Sequence, residues 1–442
     1  MKKVSLVSLG CSKNLIDAEQ MLAILEENGF EIVADEEDAD IMIVNTCAFI
    51  DAAKQESIDC ILEHARYKEN DKNRILIVSG CMSQRYEEEL LEELPEVDIA
   101  VGTNEYHRIA EIINKHIEGK TELYCSEEYA DCGSLKRVVT TPPYMAYLKI
   151  AEGCDNHCTY CIIPSIRGKY RSRSIEEIVA EAKTLVDGGA RELVVIAQDT
   201  TRYGMDLYGD YKLPELLKEL CKIEDAKWIR VHYCYPELIT DELIEAMASE
   251  EKICNYLDIP IQHCNDQILK LMGRRTNKEE ITNLIKKLRE RIPDITIRTS
   301  LIVGFPTETE EQFSELRDFV CDTEFDRLGV FAYSCEEGTP AAKLDGQIDD
   351  EEKRLRQEAI MVDQAEVSER LNSKKCGKVY EVLVEGYDNI IKQYYGRTYA
   401  DSEEIDGKVF FTSDTKLNAG DFVKVEITDY MEYDLYGVAK EG

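Results

Sequence analysis

The sequence predicts an α/β protein in three parts: an N-terminal doubly wound parallel sheet, a central partial (β/α)6 barrel and a small C-terminal OB-like β-barrel. Three observations predict it. β-rich runs alternate with amphipathic stretches from residue 3 to about 100, a strand-then-helix pattern repeats six times between Tyr147 and Ser334, and the tail switches to strands parted by glycine turns. A chain of 442 residues exceeds one ordinary core. The expected domains are residues 1–120, 140–345, a helical linker over 346–373, and 374–442.

In the first part the strand runs are Lys3–Leu9, Asp40–Asn45 and Arg74–Ser79. Helical patterns cover Asn14–Asn28, with Gly29 as a stop, Asp51–Tyr67, and Gln84–Leu94 before Pro95. Each strand run is followed by a cysteine: Cys11, Cys47 and Cys81. Ligands gather outside the carboxyl ends of parallel strands, so these thiols can converge despite their separation in sequence. Three thiolates there suit an iron–sulfur site with one iron lacking a protein ligand. The alternative is three small residues packed at strand ends. Gly10 and Gly80 precede two of the cysteines and let the backbone approach a bulky inorganic group, or simply turn.

In the second part the strand runs are Met145–Ile150, Leu193–Ala197, Ile229–Tyr233, Leu257–Ile261, Thr296–Val303 and Leu328–Tyr333. Helical spacing marks Ser174–Asp187, Thr240–Ala248, Asn277–Arg291 and Glu308–Cys321. Function is expected on the loops after the strands. The first such loop carries Cys154, Cys158 and Cys161 in a C-x3-C-x2-C spacing, which at this cysteine frequency arises by chance roughly 0.02 times and so is informative. Three thiolates on one short loop can hold three corners of a cubane. Zinc is the competing metal, but His157 abuts Cys158 and is poorly placed to complete a tetrahedron with it.

Bulk properties narrow the class. No run nears the roughly 18 apolar residues of a membrane span, and the apolar stretch after Met1-Lys2-Lys3 is short for a secretory signal, so a cytoplasmic protein without membrane contact is expected. Sixteen cysteines in that compartment point to metal rather than disulfides. A formal charge of −36 disfavours nucleic acid as the primary substrate and favours a basic protein partner, though acidity also serves solubility alone.

The C-x3-C-x2-C loop opening a βα barrel resembles the radical S-adenosylmethionine superfamily. The resemblance implies a 4Fe-4S cluster on Cys154, Cys158 and Cys161 whose free iron chelates S-adenosylmethionine, and an electron that breaks the sulfonium C–S bond to give a deoxyadenosyl radical. Tyr160 matches the position that packs on adenine. Gln198 with Asp199, Gln262 with His263, and Arg298 stand at strand ends, placed to contact cofactor or substrate, or else to serve as satisfied polar groups at a barrel rim. Gly304-Phe305-Pro306-Thr307-Glu308 resembles an adenine-side loop in which glycine ordinarily precedes the glutamate, and Thr307 departs from it. The remaining cysteines, Cys60, Cys125, Cys132, Cys221, Cys234, Cys254, Cys264, Cys321, Cys335 and Cys376, lack ligand spacing and read as packed or free thiols, with Cys234 and Cys264 nearest to strand ends.

Asp349–Asn372 is a charged helical pattern leading to the third part, whose strand runs are Lys378–Val384, Tyr395–Ala400, Lys408–Thr412, Phe422–Thr428 and Leu435–Lys440. From Cys376 onward 7 Lys and Arg face 14 Asp and Glu, a balance that attracts a basic polypeptide and repels RNA.

The full order resembles the methylthiotransferases, the small barrel corresponding to a TRAM-type substrate-recognition domain. Residues 8–14, the cysteine loop and residues 162–173 resemble most the branch acting on an aspartate of ribosomal protein S-twelve. That implies two 4Fe-4S clusters, the second on Cys11, Cys47 and Cys81, two uses of S-adenosylmethionine, a β-methylthio-aspartate product, an electron donor, and no catalytic acid, base or nucleophile for the C–H step. A monomer is expected. The rivals are a tRNA methylthiotransferase, which would carry a basic terminal barrel, and a non-catalytic iron–sulfur binding or electron-transfer protein.

Overall fold

The computed structural model describes residues 1–71, 73–118, 123–126 and 135–440. The expected three-part architecture is present. In the first sheet, parallel strands run in the order Glu31–Ile32, Lys3–Ser8, Ile41–Thr46, Ile75–Gly80, Ile99–Val101, Leu123–Tyr124. Ile41–Thr46 and Ile75–Gly80 are buried throughout, which is why they read as continuous apolar runs. Helix Ser12–Glu27 packs on one face around Met21 and Leu25, and Asp51–Asn70 on the other around Ile61. The chain therefore changes face between Lys3–Ser8 and Ile41–Thr46, and that switch opens a crevice at their carboxyl ends.

Three strands of this sheet escaped the sequence reading, two of them only two residues long and too short for any alternation to register. The expected boundary at residue 120 falls short of Leu123–Tyr124, the last strand of this sheet. The expected helix Gln84–Leu94 is two helices, Cys81–Tyr86 and Glu88–Glu93, broken at Glu87, whose φ is 47°.

The central sheet holds Met145–Lys149, Glu192–Ile196, Trp228–Val231, Ile253–Asp258, Thr296–Val303 and Arg327–Ala332, parallel and in chain order, with the two end strands unpaired to each other. The fourth strand begins earlier than the expected Leu257–Ile261, and it ends earlier because Pro260 has no N–H for the ladder. Outer helices begin at capping boxes, Ser174 with Glu177, Asn277 with Glu280 and Thr309 with Gln312, which fix where each turns away from its loop.

Helix Asp350–Ser373 does more than link. Ile360 joins the main apolar core, Gln357 donates to Val330 O at 2.8 Å and Gln364 to Phe325 O at 2.9 Å, so the helix covers the edge strand Arg327–Ala332.

The tail closes into a five-stranded barrel in the order Val379–Asp388, Gln393–Arg397, Val409–Thr412, Leu435–Ala439, Phe422–Tyr430, with Val409–Thr412 parallel to Leu435–Ala439. It packs on the face of the central sheet turned away from the outer helices, where Val194, Ile196, Trp228 and Tyr256 meet Leu383, Tyr399 and Phe422. No described helix is long and apolar enough to cross a membrane.

Candidate functional site

Cys11 caps helix Ser12–Glu27, Cys47 follows strand Ile41–Thr46, and Cys81 opens helix Cys81–Tyr86 after strand Ile75–Gly80. Their parent strands are neighbours in the parallel sheet, so all three thiols leave from one sheet edge. They are close enough to feel one another's charge: Cys47 feels Cys11, and Cys81 feels both. Asn14 fastens the crevice, its Nδ2 reaching Leu9 O at 2.7 Å and Thr46 O at 3.2 Å. Gly10, at φ 86°, lies where a Cβ would sit 2.6 Å from Cys47 Cβ, so its bareness serves the approach of two protein loops. Gly80 likewise yields to Asn45 and Thr46.

The thiols differ in acidity. Burial alone would raise Cys11, but Lys13, Arg167 and the N–H groups opening the helix hold it below the ordinary thiol range. Burial raises Cys47, and pushes Cys81 up to about 12.

The second triad sits on the loop after Met145–Lys149. Cys154 N donates to Gly168 O at 3.0 Å, Thr159 N to Met272 O at 3.0 Å, and Asn156 Nδ2 to Asp199 Oδ2 at 2.8 Å, so the loop is tied to its own exit, to the end of helix Asp266–Leu271 and to the end of the second strand. Cys158 Sγ is 3.1 Å from Tyr235 Oη, and the Arg274 guanidinium stacks 4.1 Å from the Tyr235 ring with Nη1 3.9 Å from the same sulfur. Burial pushes Cys154 up to about 11 and Cys161 further.

The other expected site residues divide. Tyr160 packs beside Phe305, Tyr333 and Ala341, next to the Gly304–Glu308 loop. Gln198 and Gln262 are half-buried at strand ends; Gln262 has a φ of 69°, and its backbone pairs with Ser300 O at 2.9 Å and Ile302 N at 2.8 Å. His263 is fully buried; its Nδ1 accepts from Asn265 N at 2.9 Å and its Nε2 lies 3.6 Å from Glu308. Arg298 donates to Asp258 at 3.1 Å and faces Asp406 of the tail at 3.6 Å. His263 and Arg298 are thus engaged by protein. Cys234 and Cys264 are buried beside Thr200 and Glu315 O, and Cys132 lies outside the described residues.

Beside Cys81 lies a buried charge group that the sequence reading did not assign. Arg167, in the short helix after Cys161, donates to Asp17 at 2.8 Å, Glu152 at 3.2 Å and Asn14 at 3.2 Å, and its Nη2 is 3.7 Å from Cys81 Sγ. Lys149 reaches Asp17 at 2.6 Å and Glu152 at 2.9 Å. One segment, Ile163–Gly168, thereby backs one triad through Gly168 O and touches the other through Arg167. Their proximity has no signature in local spacing, because Asp17 and Arg167 meet only after two domains dock.

Among the described residues, no three His, Cys, Asp or Glu side chains gather closely enough for a single metal ion. A cubane asks for something else: each thiolate grips a different iron. Two all-thiol triads, each backed by a buried arginine, suit that group, and the buried Arg167 Nε lacks a protein partner.

Comparison with known proteins bears on the same parts. The Radical SAM superfamily model matches residues 148–320, Uncharacterized protein family UPF0004 residues 3–102, and the TRAM domain residues 376–439. The ribosomal protein uS12 methylthiotransferase RimO of Clostridioides difficile (strain 630) is 54% identical over 440 residues, covering 99% of this chain and 98% of its own. That of Thermoanaerobacter sp. (strain X514) is 52% identical over 438 residues, covering 99% and 100%. Among solved structures, the radical S-adenosylmethionine methyltransferase TsrM from Kitasatospora setae, with cobalamin and a 4Fe-4S cluster bound, aligns with a TM-score of 0.58 at 15% identity, covering 77% of each chain. The cobalamin-dependent S-adenosylmethionine radical enzyme OxsB aligns at 0.52 and 14%, covering 81% of this chain and 56% of its own. These two share fold alone. Near-complete coverage at over half identity decides membership: the chain belongs to the family of ribosomal protein uS12 methylthiotransferases, RimO.

Proposed function

We propose that this chain adds a methylthio group to the β-carbon of an aspartate in ribosomal protein uS12, in the cytoplasm and as a monomer, drawing electrons from a separate donor. The observation that carries this reading is the Ile163–Gly168 segment, whose Arg167 lies 3.7 Å from Cys81 Sγ while its Gly168 O accepts from Cys154 N at 3.0 Å, so that one segment contacts a member of each thiol triad. Cys154, Cys158 and Cys161 hold one 4Fe-4S cluster and Cys11, Cys47 and Cys81 a second. When bound, the first supplies the electron that breaks the sulfonium C–S bond of S-adenosylmethionine.

The protein's own part is positional. Tyr160, Gln198 and Gln262 offer a ring and two amides to S-adenosylmethionine, while His263 and Arg298 support the loops behind them through Glu308 and Asp258. Lys54 and Arg85 of the first domain both reach Glu336 after the last barrel strand, at 3.0 and 2.7 Å, holding the domains together across the mouth. An acidic tail facing a basic ribosomal protein favours uS12 over tRNA.

The test is anaerobic reconstitution with iron and sulfide, then reductant, S-adenosylmethionine and either uS12 or tRNA, with products weighed. The expected result is one methylthio group on uS12 aspartate, abolished by Cys154→Ala or Cys11→Ala, with deoxyadenosine formation surviving only in Cys11→Ala. Modification of tRNA alone, or no deoxyadenosine from the intact chain, defeats the reading.

A further inference from the structure

Cys154, Cys158 and Cys161 are placed by one short stretch of chain, whereas Cys11, Cys47 and Cys81 follow three different strands and have no covalent reason to stand together. One side chain joins all three strands at their carboxyl ends. Ser8, Asn45 and Ser79 are register partners across Lys3–Ser8, Ile41–Thr46 and Ile75–Gly80, each two or three residues before its cysteine. Asn45 is buried; its Nδ2 donates to Ser8 Oγ at 3.2 Å and to Asn14 O at 2.8 Å, and its Oδ1 accepts from Ser79 Oγ at 3.1 Å. Asn14 O can only accept, which fixes the orientation of the amide and leaves both of its donors used. A Cβ on Gly80 would sit 2.6 Å from Asn45 Oδ1, so that strand is bare where the amide passes it.

Stability alone does not call for such a rung. Replacing a buried hydrogen-bonding group and all its partners by apolar residues of similar shape is close to neutral, whereas a fully satisfied polar network specifies a single arrangement. From this rung we infer that Asn45 is a positioning residue for the Cys11/Cys47/Cys81 cluster: it sets the spacing of the three strand ends before iron arrives, and acts on the thiols through Ser8, Asn14 and Ser79. The inference rests on the two-cluster reading above. Neighbouring strands are rotated against one another by about 20–25°, so ends without a shared partner fan apart. Each thiolate grips a different iron of a rigid group, and an error in strand spacing becomes an error in ligand placement. Ser57, from helix Asp51–Asn70, supports Cys47 alone, accepting from its N at 3.2 Å and donating to its O at 2.9 Å. Asn45 reaches the strands of all three cysteines.

The test compares the natural rung with Asn45→Leu and with the apolar rung Ser8→Ala/Asn45→Leu/Ser79→Ala. All are full chains carrying Cys154→Ala/Cys158→Ala/Cys161→Ala, so that only the Cys11/Cys47/Cys81 site loads. After anaerobic reconstitution, iron release to excess chelator reads how firmly the cluster is held, and the melting temperature of each apoprotein reads the fold. Asn45→Leu leaves the Ser8 and Ser79 hydroxyls without their partner and should lower the apo melting temperature; the apolar rung removes those hydroxyls and should bring it back. Iron release should be about tenfold faster or more in both, the size expected when a group supporting a metal ligand is lost. In matching chains carrying Cys11→Ala/Cys47→Ala/Cys81→Ala, which load only the other site, release should be unchanged. Release at the natural rate from the apolar rung overturns the inference, as does equal acceleration at both sites, which is what a general loosening of the fold would give. Should the apolar rung fail to fold, Ser79→Ala alone decides. It removes one hydrogen bond from Asn45 and should speed release about threefold at this site only, in keeping with the net worth of one such bond, and an unchanged rate overturns the inference. If the natural rung itself loads no cluster at Cys11, Cys47 and Cys81, the two-cluster reading has failed, and this inference with it.

Discussion

Arg397 of the terminal barrel meets Glu192 of the second central strand at 2.7 Å with both side chains buried, and Arg230 reaches the same carboxylate at 2.8 Å. Around that pair, Arg230 donates to Tyr399 O at 2.7 Å, Tyr256 Oη to Asp406 at 2.7 Å, and Arg327 pairs with Asp401. The segment 397–406 is therefore part of the core of the central domain. A tail expected to act as a recognition module also covers the face of the sheet turned away from the outer helices.

Arg397→Leu should cost about 3–5 kcal/mol, since it leaves Glu192 with one cation where two had balanced its burial. Urea unfolding followed by tryptophan fluorescence checks this, because Trp228 lies at that interface against Phe422 at 4.9 Å between ring centroids. An unchanged midpoint would show that the tail docks loosely.

Thr307 sits in the left-handed region at φ 72°, held there by its N–H on Gly346 O at 2.9 Å. A β-branched residue in that region costs about 1–2 kcal/mol, and glycine's greater unfolded freedom returns part of the gain. Thr307→Gly should raise stability by about 0.5–1 kcal/mol, read as a higher melting temperature. The departure from glycine noted in the sequence is thus a strained position, and a lower melting temperature in Thr307→Gly would contradict that.

In the reduced apoprotein, Cys11 should be alkylated by iodoacetamide ahead of Cys47 and Cys81. The thiolate is the nucleophile, and Lys13, Arg167 and the helix start favour it at Cys11, whereas burial keeps Cys81 protonated up to about 12. Peptide mapping after a short pulse at neutral pH reads the order. Lys13→Met should slow Cys11 specifically.

His232 is buried against Ser402 at 2.9 Å, and burial pushes it down to about 3 from 6.5, with Arg230 and Arg298 also disfavouring its cation while Asp258 and Glu192 favour it. Between those values the unfolded chain binds the extra proton, so its contribution to stability is full above about pH 6.5 and is lost progressively as pH falls towards 3. His232→Gln should flatten the pH dependence of the unfolding midpoint between pH 6 and 4. An identical slope in wild type and variant would remove His232 as the cause.

Much of the site was legible because its chemistry is local or periodic. Cys154, Cys158 and Cys161 share one loop, so spacing alone reveals them. Cys11, Cys47 and Cys81 each follow an apolar run, so their place at strand ends could be read, though not the strand order that makes them neighbours. Glu192, Arg230 and Arg327 were assigned no role and Arg298 was assigned to cofactor, substrate or rim, because their partners Arg397, Tyr399, Asp401 and Asp406 come from a distant segment. Lys13 and Arg167 carried no assignable role for the same reason.

The sequence by itself determined the three-part α/β plan and the family, and offered two cysteine triads as candidates, because alternation of apolar residues and local cysteine placement are properties of neighbouring residues. Only the tertiary structure decided that the terminal barrel packs into the central domain, that His263 and Arg298 are held by protein, and that Arg167 reaches both Asp17 and Cys81. Charge compensation and burial depend on which distant groups share a space, and the chain acquires that information only when it folds.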